Sequence, residues 1–194
     1  DVQAVTYNMP GAVEVIGYMN YDKVREIFQT LISRHESLRT SFHVVDGEAV
    51  QKIRDQLKFE IMCKEHDAIT QQDEELLLSD FVKPFDLGVA PLFRVEIVKT
   101  SKERHLILFD IHHIISDGIS LNIIIDEFAA LLNGETLCEQ HIQYKDYSEW
   151  MRKRDLTSQG NYWINRFNDN IPVLSLPYDY HRPNIQSFKG NTVR

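Results

Sequence analysis

The stretch from Arg104 to Leu132 constrains the fold more than any other part of the sequence. Residues 104–112 are almost continuously apolar, as expected of a central strand whose sheet is covered on both faces. A short polar turn then leads into an apolar-rich helix at 118–132, which ends at Asn133 and Gly134. Because a strand covered on both faces needs helices on either side, the sequence predicts a layered α/β fold.

Hydrophobic spacing and terminal signals predict the remaining elements. Strands are expected at 12–19, 38–45, 49–53, 59–62 and 92–99, and helices at 22–36, 71–82, 144–154 and 159–167. Asp46 and Gly47 predict a hairpin between the second and third of these strands. Trp150 and Trp163 are predicted to be core aromatics. The proline-containing tail, residues 171–194, is expected to be an extended connector.

Composition limits the partners and the cellular setting. The 29 acidic and 21 basic side chains give a net charge of −8, which disfavours nucleic acid and membrane surfaces because both attract basic patches. No apolar run reaches the roughly 18 residues that span a bilayer, and no secretory signal is visible. Cys63 and Cys138 form no disulfide framework, so we expect a cytoplasmic protein. Since the chain starts at Asp1 without a methionine and stops at Arg194, we expect a piece of something larger.

The turn between the apolar strand and its helix carries side chains of catalytic type. Adjacent strand residues point to opposite faces, so either His112 or His113 can face a cleft as a general base while the other packs inward. Asp117 can cap the following helix, and Gly118 permits a tight turn or the close approach of a substrate. On spacing alone, packing or surface exposure of the histidine pair is an equally good interpretation.

Three other chemistries fit this turn less well. Ser116 lies beside the histidines, but a serine nucleophile and its base must converge in space, which neighbours in one loop rarely do. Neighbouring histidines diverge, and no cysteine or third histidine lies at ligand spacing, which disfavours a metal site. No glycine-rich loop follows a strand, which disfavours nucleotide binding.

Residues 112–118, HHIISDG, match the HHxxxDG signature of the condensation domains of nonribosomal peptide synthetases. Other segments are similar to motifs of that family in the same order: SRHESLRTSF at 33–42, PFDLGVAPLFR at 84–94, YKDYSEW at 144–150 and YHRPNIQSFKG at 180–190. The resemblance implies a chloramphenicol-acetyltransferase-like sandwich, a single lobe of a two-lobed, V-shaped domain. Residues 1–194 would form the N-terminal lobe, with 171–194 as the connector toward a missing C-terminal lobe.

The resemblance also implies a reaction. The amine of an aminoacyl thioester on a downstream carrier domain attacks the acyl or peptidyl thioester on an upstream one, and an amide forms. Substrates arrive on phosphopantetheine arms, and the chain itself binds no cofactor or metal. The expected partners are the C-terminal lobe, both carrier domains and an adjacent adenylation domain. We expect the fragment alone to be inactive, because its tunnel needs walls from both lobes.

The resemblance assigns roles to the site residues. His113 becomes the catalytic or positioning histidine in the middle of a tunnel, and His112 is structural. Asp117, next to Gly118 of the same motif, holds the loop, with Arg34 as its ion-pair partner. The second arginine of the 33–42 segment, Arg39, is expected to orient the site, although a solvated charge is an equally good interpretation.

Several relatives remain as alternatives. An epimerisation domain carries the same HHxxxDG signature, and a coenzyme-A-dependent acyltransferase of the same superfamily carries a related one. The doubled histidine and the RHESLRT segment favour the synthetase over that acyltransferase. A heterocyclisation domain is disfavoured because aspartate replaces the histidines in its signature. A non-catalytic partner lobe is the alternative from a different class of protein.

Overall fold

The computed structural model describes residues 4–66, 70–169, 171, 173–181 and 183–185. The chain divides into two compact units, one ending at Tyr144 and the other beginning at Lys145. The elements follow in the order β1 (Asn8–Ile16), α1 (Tyr21–Arg34), a 3-10 turn (Glu36–Arg39), β2 (Thr40–Val45), β3 (Glu48–Ile53), β4 (Met62–Glu65), α2 (Gln71–Phe81), β5 (Phe93–Ser101), β6 (Arg104–His112), α3 (Gly118–Leu132), α4 (Tyr144–Lys153) and α5 (Thr157–Arg166). The predicted α/β class is confirmed.

Two strand positions differ from the prediction. The first strand lies nearer the N-terminus and ends at Ile16, because Gly17 adopts a left-handed backbone with φ 111° that breaks the extended run. The strand expected at 59–62 lies instead at Met62–Glu65, where it pairs with β5. Asn20 caps α1 as predicted, accepting hydrogen bonds from two backbone N–H groups of the first turn.

The strands of the first unit form a four-stranded sheet and a separate hairpin. The sheet has the order β1-β6-β5-β4, in which β4 runs parallel to β5 and the other pairs are antiparallel. Strand β6 therefore occupies a central position, as its apolar sequence predicted. Strands β2 and β3 form the hairpin, whose turn at Asp46 and Gly47 has positive φ at both residues.

Helices cover the sheet on both faces. On one face, α1 buries its apolar stripe against β5 and β6: Val24, Ile27, Phe28, Leu31 and Ile32 contact a core that includes Phe93, Val95, Ile97, Ile107 and Ile111. On the other face, Phe81 of α2 packs with Val98, Leu106 and Leu108. Each such buried side chain contributes roughly 1.5–3 kcal/mol through the area it removes from water. Both helical layers thus fix the position of β6.

Helix α3 lies on the same face as α1 but is held less deeply. The structure describes all of its residues and none of them is buried. Leu121, Ile124 and Phe128 are half-buried against the core, and the ring of Phe128 lies 5.1 Å from that of Phe28. Ile119 and Ile125 are mostly exposed. Although α3 is rich in apolar residues, its apolar contacts with the core therefore hold it only weakly.

The second unit contains most of α4, all of α5 and the tail. The prediction that Trp150 and Trp163 are core aromatics is wrong, because they are 55% and 56% exposed. Neither α4 nor α5, both fully described, contains a buried residue. Arg154 lies over the ring of Trp150, and Phe167 stacks on Trp163.

The predicted connector lies partly outside the described residues. Of its residues, 171, 173–181 and 183–185 are described, and these form neither helix nor strand and are exposed. In the described part of the chain, no helix has the length and apolarity needed to cross a membrane.

Candidate active site

Two backbone hydrogen bonds fix the end of β6, where the candidate site begins. The N–H of His112 donates to the carbonyl of Leu92 at 2.9 Å, and the N–H of His113 donates to the carbonyl of Tyr7 at 2.8 Å. The two acceptors lie just before β5 and β1, the neighbours of β6 in the sheet. The chain therefore leaves the sheet at a defined point between two strands.

The two histidine side chains have different surroundings. The ring of His112 is partly buried and meets Phe85 edge-on, with ring centres 6.1 Å apart. Its Nδ1 accepts a hydrogen bond from the N–H of Ile114, and burial, with a smaller effect of the His113 charge, lowers the pKa of His112. The imidazole of His113 is exposed and lines a cavity. Of the two imidazoles, that of His113 is therefore the more accessible.

Asp117 begins α3 as its N-cap, the position that the sequence predicted. Its Oδ1 accepts hydrogen bonds from the N–H of Ser120 at 2.8 Å and from the hydroxyl of Ser120 at 2.7 Å. These two hydrogen bonds, with a smaller contribution from the nearby His113, lower the pKa of Asp117. The carboxylate therefore stays ionised at neutral pH beside the exposed imidazole.

Gly118 is not needed for a tight turn, contrary to one expectation. Its φ is not positive, and an added Cβ would meet no heavy atom of the described chain within 4 Å. The absence of a side chain leaves open space at the first residue of α3. The other expectation, that this space admits a substrate, stays a prediction.

The cavity beside His113 has a volume of about 290 Å³. Besides the turn, its wall includes Ser37, Thr40, Phe42, Gln51, Ser120 and Tyr144. Sequence reasoning did not identify these six as site residues. Ser37, Thr40 and Phe42 belong to the motif at 33–42. Tyr144 begins the segment at 144–150, and Ser120 lies two residues after the motif at 112–118. Gln51, in the exposed hairpin strand β3, has no such sequence signal.

The predicted ion pair between Arg34 and Asp117 is wrong. Arg34 Nε instead donates to Glu127 Oε1 at 2.9 Å, and no ion pair joins Arg34 to Asp117 in the residues that the structure describes. Asp117 is occupied as a helix cap, whereas Glu127 lies ten residues further along α3, about 15 Å along the helix axis. The C-terminal end of α1 reaches this later turn of α3.

Arg39 is not a solvated charge, since its side chain is only 12% exposed. Its guanidinium donates to the carbonyl oxygen of Arg54 and lies 3.7 Å from the carboxylate of Glu36. Arg39 thus links the 3-10 turn to the end of β3. Thr40, Phe42 and Gln51 of the same hairpin line the cavity, and an orienting role of Arg39 stays a prediction.

A buried polar group lies behind His112, on the same face of β6. Asp110 is fully buried, and its Oδ2 accepts a hydrogen bond from Asn8 Nδ2 at 2.7 Å and lies 3.7 Å from Arg94 Nε. Arg94 also lies over the ring of Phe85. Burial raises the pKa of Asp110 and lowers that of Arg94. Sequence reasoning missed this group, although a carboxylate within an apolar strand was a visible signal.

The arrangement can bind, orient and exchange a proton with an amine or a carbonyl group. His113 offers an accessible imidazole, and Asp117 a nearby negative charge. The hydroxyl of Ser116 donates to the carbonyl of Asp117 rather than to a histidine, so it is not set up as a nucleophile. Across the described ranges, no three His, Cys, Asp or Glu side chains are grouped in a way that could hold a metal ion.

Comparison with known proteins assigns the chain to a family. The family model described as the condensation domain matches residues 1–194. Gramicidin S synthase 2 from Brevibacillus brevis is 45% identical over 97% of this chain, which spans 4% of that relative. Bacitracin synthase 2 from Bacillus licheniformis is 45% identical over 98% of the chain, spanning 7% of the relative. The chain thus corresponds to a small part of these synthases.

Solved structures show the same architecture. A four-domain nonribosomal peptide synthetase bound to AMP and glycine matches 95% of this chain with a TM-score of 0.75 and 26% identity, over 15% of its own length. A condensation domain for chain release from the enacyloxin polyketide synthase matches 87% with a TM-score of 0.71 and 26% identity, over 35% of its length. The X-domain from teicoplanin biosynthesis, in complex with OxyB, shares the fold with a TM-score of 0.78 at 22% identity, over 92% of this chain and 42% of its own.

Proposed function

The chain belongs to the condensation-domain family, and we propose that it serves amide-bond formation as the N-terminal lobe of such a domain in a nonribosomal peptide synthetase. The acceptor amine attacks the carbonyl carbon of the donor thioester. A C–N bond forms, the C–S bond breaks, and the phosphopantetheine thiol leaves with the proton that the amine gives up. Amide formation is the reaction of the family.

One observation carries this proposal. Within the family motif, His113 is exposed at the cavity wall while His112 is turned toward Phe85. The backbone of His113 follows directly after the central strand β6 and is held by its hydrogen bond to Tyr7. The cavity also mixes apolar and hydroxyl side chains, as a pantetheine arm with amide and methylene groups requires.

The mechanism needs little activation of the nucleophile. A free amine attacks thioesters readily, so holding amine and thioester together supplies much of the acceleration. We assign His113 to orient the amine and to accept its proton as the tetrahedral intermediate forms. Asp117 keeps the turn in place as the cap of α3 and adds a negative charge near the imidazole.

The remaining parts of the proposal concern the larger protein. The chain spans less than half of the condensation-domain structures it matches and a few per cent of its curated relatives. We assign the rest of the tunnel to a C-terminal lobe, and substrate delivery to carrier domains that an adenylation domain loads. The fragment alone is predicted to be inactive, and a cytoplasmic location stays a prediction.

The test uses the full-length protein that contains this chain, supplied with ATP, magnesium and the proteinogenic amino acids. Carrier-bound products are identified by mass spectrometry. We expect amide products from the wild type and a rate reduced by a factor of about 100 or more in His113→Ala, the usual range for losing a general base. His66→Ala, remote from the cavity, is the matched control. A racemised aminoacyl thioester without amide would indicate an epimerisation domain, and full activity of His113→Ala would refute the proposed role.

A further inference from the structure

Helix α3 carries the candidate site but has little deep packing to hold it. Asp117 is its cap, and the turn that includes His113 runs directly into it. Its apolar contacts with the core are half-buried, and none of its fully described residues is buried. Some further contact must therefore fix the position of α3 relative to the sheet.

Glu127 supplies that contact through both of its carboxylate oxygens. Its Oε1 accepts from Arg34 Nε at 2.9 Å, and its Oε2 lies 2.6 Å from His35 Nε2. The three side chains are only 13–20% exposed. In such partly desolvated surroundings charge-assisted hydrogen bonds are stronger and less screened than at an open surface.

Two donors on one carboxylate define an orientation as well as a distance. Arg34 ends α1, and His35 is the residue that follows it. Helix α1 is itself buried against β5 and β6, so it is a fixed reference for α3. The same region of backbone also binds Gln143, the residue before Tyr144 of the cavity wall, because Gln143 Nε2 donates to the carbonyl of Arg34 and Gln143 Oε1 accepts from the N–H of Glu36.

We propose that Glu127 is a positioning residue for the condensation site: by holding Arg34 and His35, it fixes α3 and with it the turn that presents His113. This inference rests on the proposed function. Helix α3 is continuous from its cap to Glu127, so a shift at the later turn moves the cap as well. Misplacement of a catalytic group by about 1 Å can cost on the order of 100-fold in rate.

The first test measures kinetics in the full-length protein, with carrier domains loaded from ATP, magnesium and the proteinogenic amino acids. We expect Glu127→Ala to lower the rate constant of amide formation about tenfold or more. The concentration of acceptor carrier at half-maximal rate should change by less than about twofold. Glu127→Gln keeps the size of the side chain and one acceptor oxygen, so it should retain more activity. Asp126→Asn removes the neighbouring, exposed carboxylate of α3 and should behave like the wild type.

The second test measures amide hydrogen exchange in the full-length protein. The N–H groups of Ser120 and Leu121 bond to Asp117 and report the start of α3. We expect them to exchange faster in Glu127→Ala, with rates unchanged at Val95 and Ile107 in the sheet. Asp126→Asn should leave all four rates unchanged.

The outcomes separate the two proposals. If the wild type forms amides and Glu127→Ala is equally active, the positioning role is refuted while the proposed function stands. If the wild type forms no amide, the proposed function fails and the positioning role fails with it. Faster exchange throughout the sheet would mean that Glu127 acts only on global stability, which also refutes the positioning role. If Glu127→Ala does not fold, the rate of amide formation and the hydrogen exchange of Glu127→Gln are compared with those of the wild type, and the same outcomes decide whether Glu127 is a positioning residue.

Discussion

The ring of Phe109 occupies the space where Gly11 has no side chain. The two residues are cross-strand partners in β1 and β6, and a Cβ added at Gly11 would lie 2.2 Å from the Cζ atom of Phe109. Such a distance is far below van der Waals contact. Phe109 therefore lies across β1 on the face that α1 and α3 cover, and glycine at position 11 is what permits it.

Gly11→Ala should destabilise the chain. The methyl group would force the Phe109 ring out of its place against the core, and overpacking of this kind costs about 1–3 kcal/mol. Thermal unfolding followed by circular dichroism measures the change. Gly160→Ala is the contrasting control, because a Cβ there meets nothing within 4 Å and the residue lies inside α5. That variant should be neutral or slightly stabilising, and equal effects of the two substitutions would contradict the close-contact explanation.

His112 should make the stability of the chain depend on pH. Burial lowers its pKa in the folded chain, so the unfolded chain binds a proton at His112 more readily. The free energy of unfolding should therefore fall as the pH drops below about 6.5, the ordinary pKa of histidine. His112→Gln keeps a hydrogen-bond acceptor for the N–H of Ile114 but does not titrate. Denaturant unfolding between pH 5 and pH 8 should show a shallower decline for this variant than for the wild type.

Asp110 should be required for stability rather than for chemistry. Its removal takes a hydrogen-bond acceptor from Asn8 and the ion-pair partner from the partly buried Arg94. Breaking a buried pair costs about 3–5 kcal/mol, and we expect the lower end for Asp110→Ala because Arg94 keeps partial exposure and its contact with Phe85. Equilibrium unfolding in urea tests this. Replacing both Asp110 and Arg94 by leucine should lower the free energy of unfolding less than Asp110→Ala alone. If the two residues contributed independently, the double replacement would lower it more.

Structural features that depend on a few neighbouring residues could be predicted from the sequence. The apolar run of β6, the hairpin at Asp46 and Gly47, and the cap at Asp117 were all predictable, because strand burial, turn type and capping each depend on a few neighbouring residues. The motif at 112–118 likewise located the turn and the divergence of its two histidines.

The partner of Arg34 was not predictable in this way. Which turn of α3 faces the end of α1 depends on how two helices cross over the sheet, and both Asp117 and Glu127 are carboxylates at suitable places in the sequence. The exposure of Trp150 and Trp163 has a similar origin, since amphipathic spacing shows that a helix has an apolar face but not whether another surface covers it.

Two double-mutant cycles should show that Arg34 is coupled to Glu127 more strongly than to Asp117. Arg34 and Glu127 are in contact, so the combined destabilisation of Arg34→Ala and Glu127→Ala should be smaller than the sum of the single effects. In the described residues Arg34 does not contact Asp117 and is linked to it only through α3, so the coupling between Arg34→Ala and Asp117→Ala should be smaller than that between Arg34→Ala and Glu127→Ala. Urea unfolding of the wild type, the three single variants and the two double variants provides both cycles. Coupling of Arg34 with Asp117 and additivity with Glu127 would show that Arg34 contacts the cap of α3 in solution, and the ion-pair assignment made here would then be wrong.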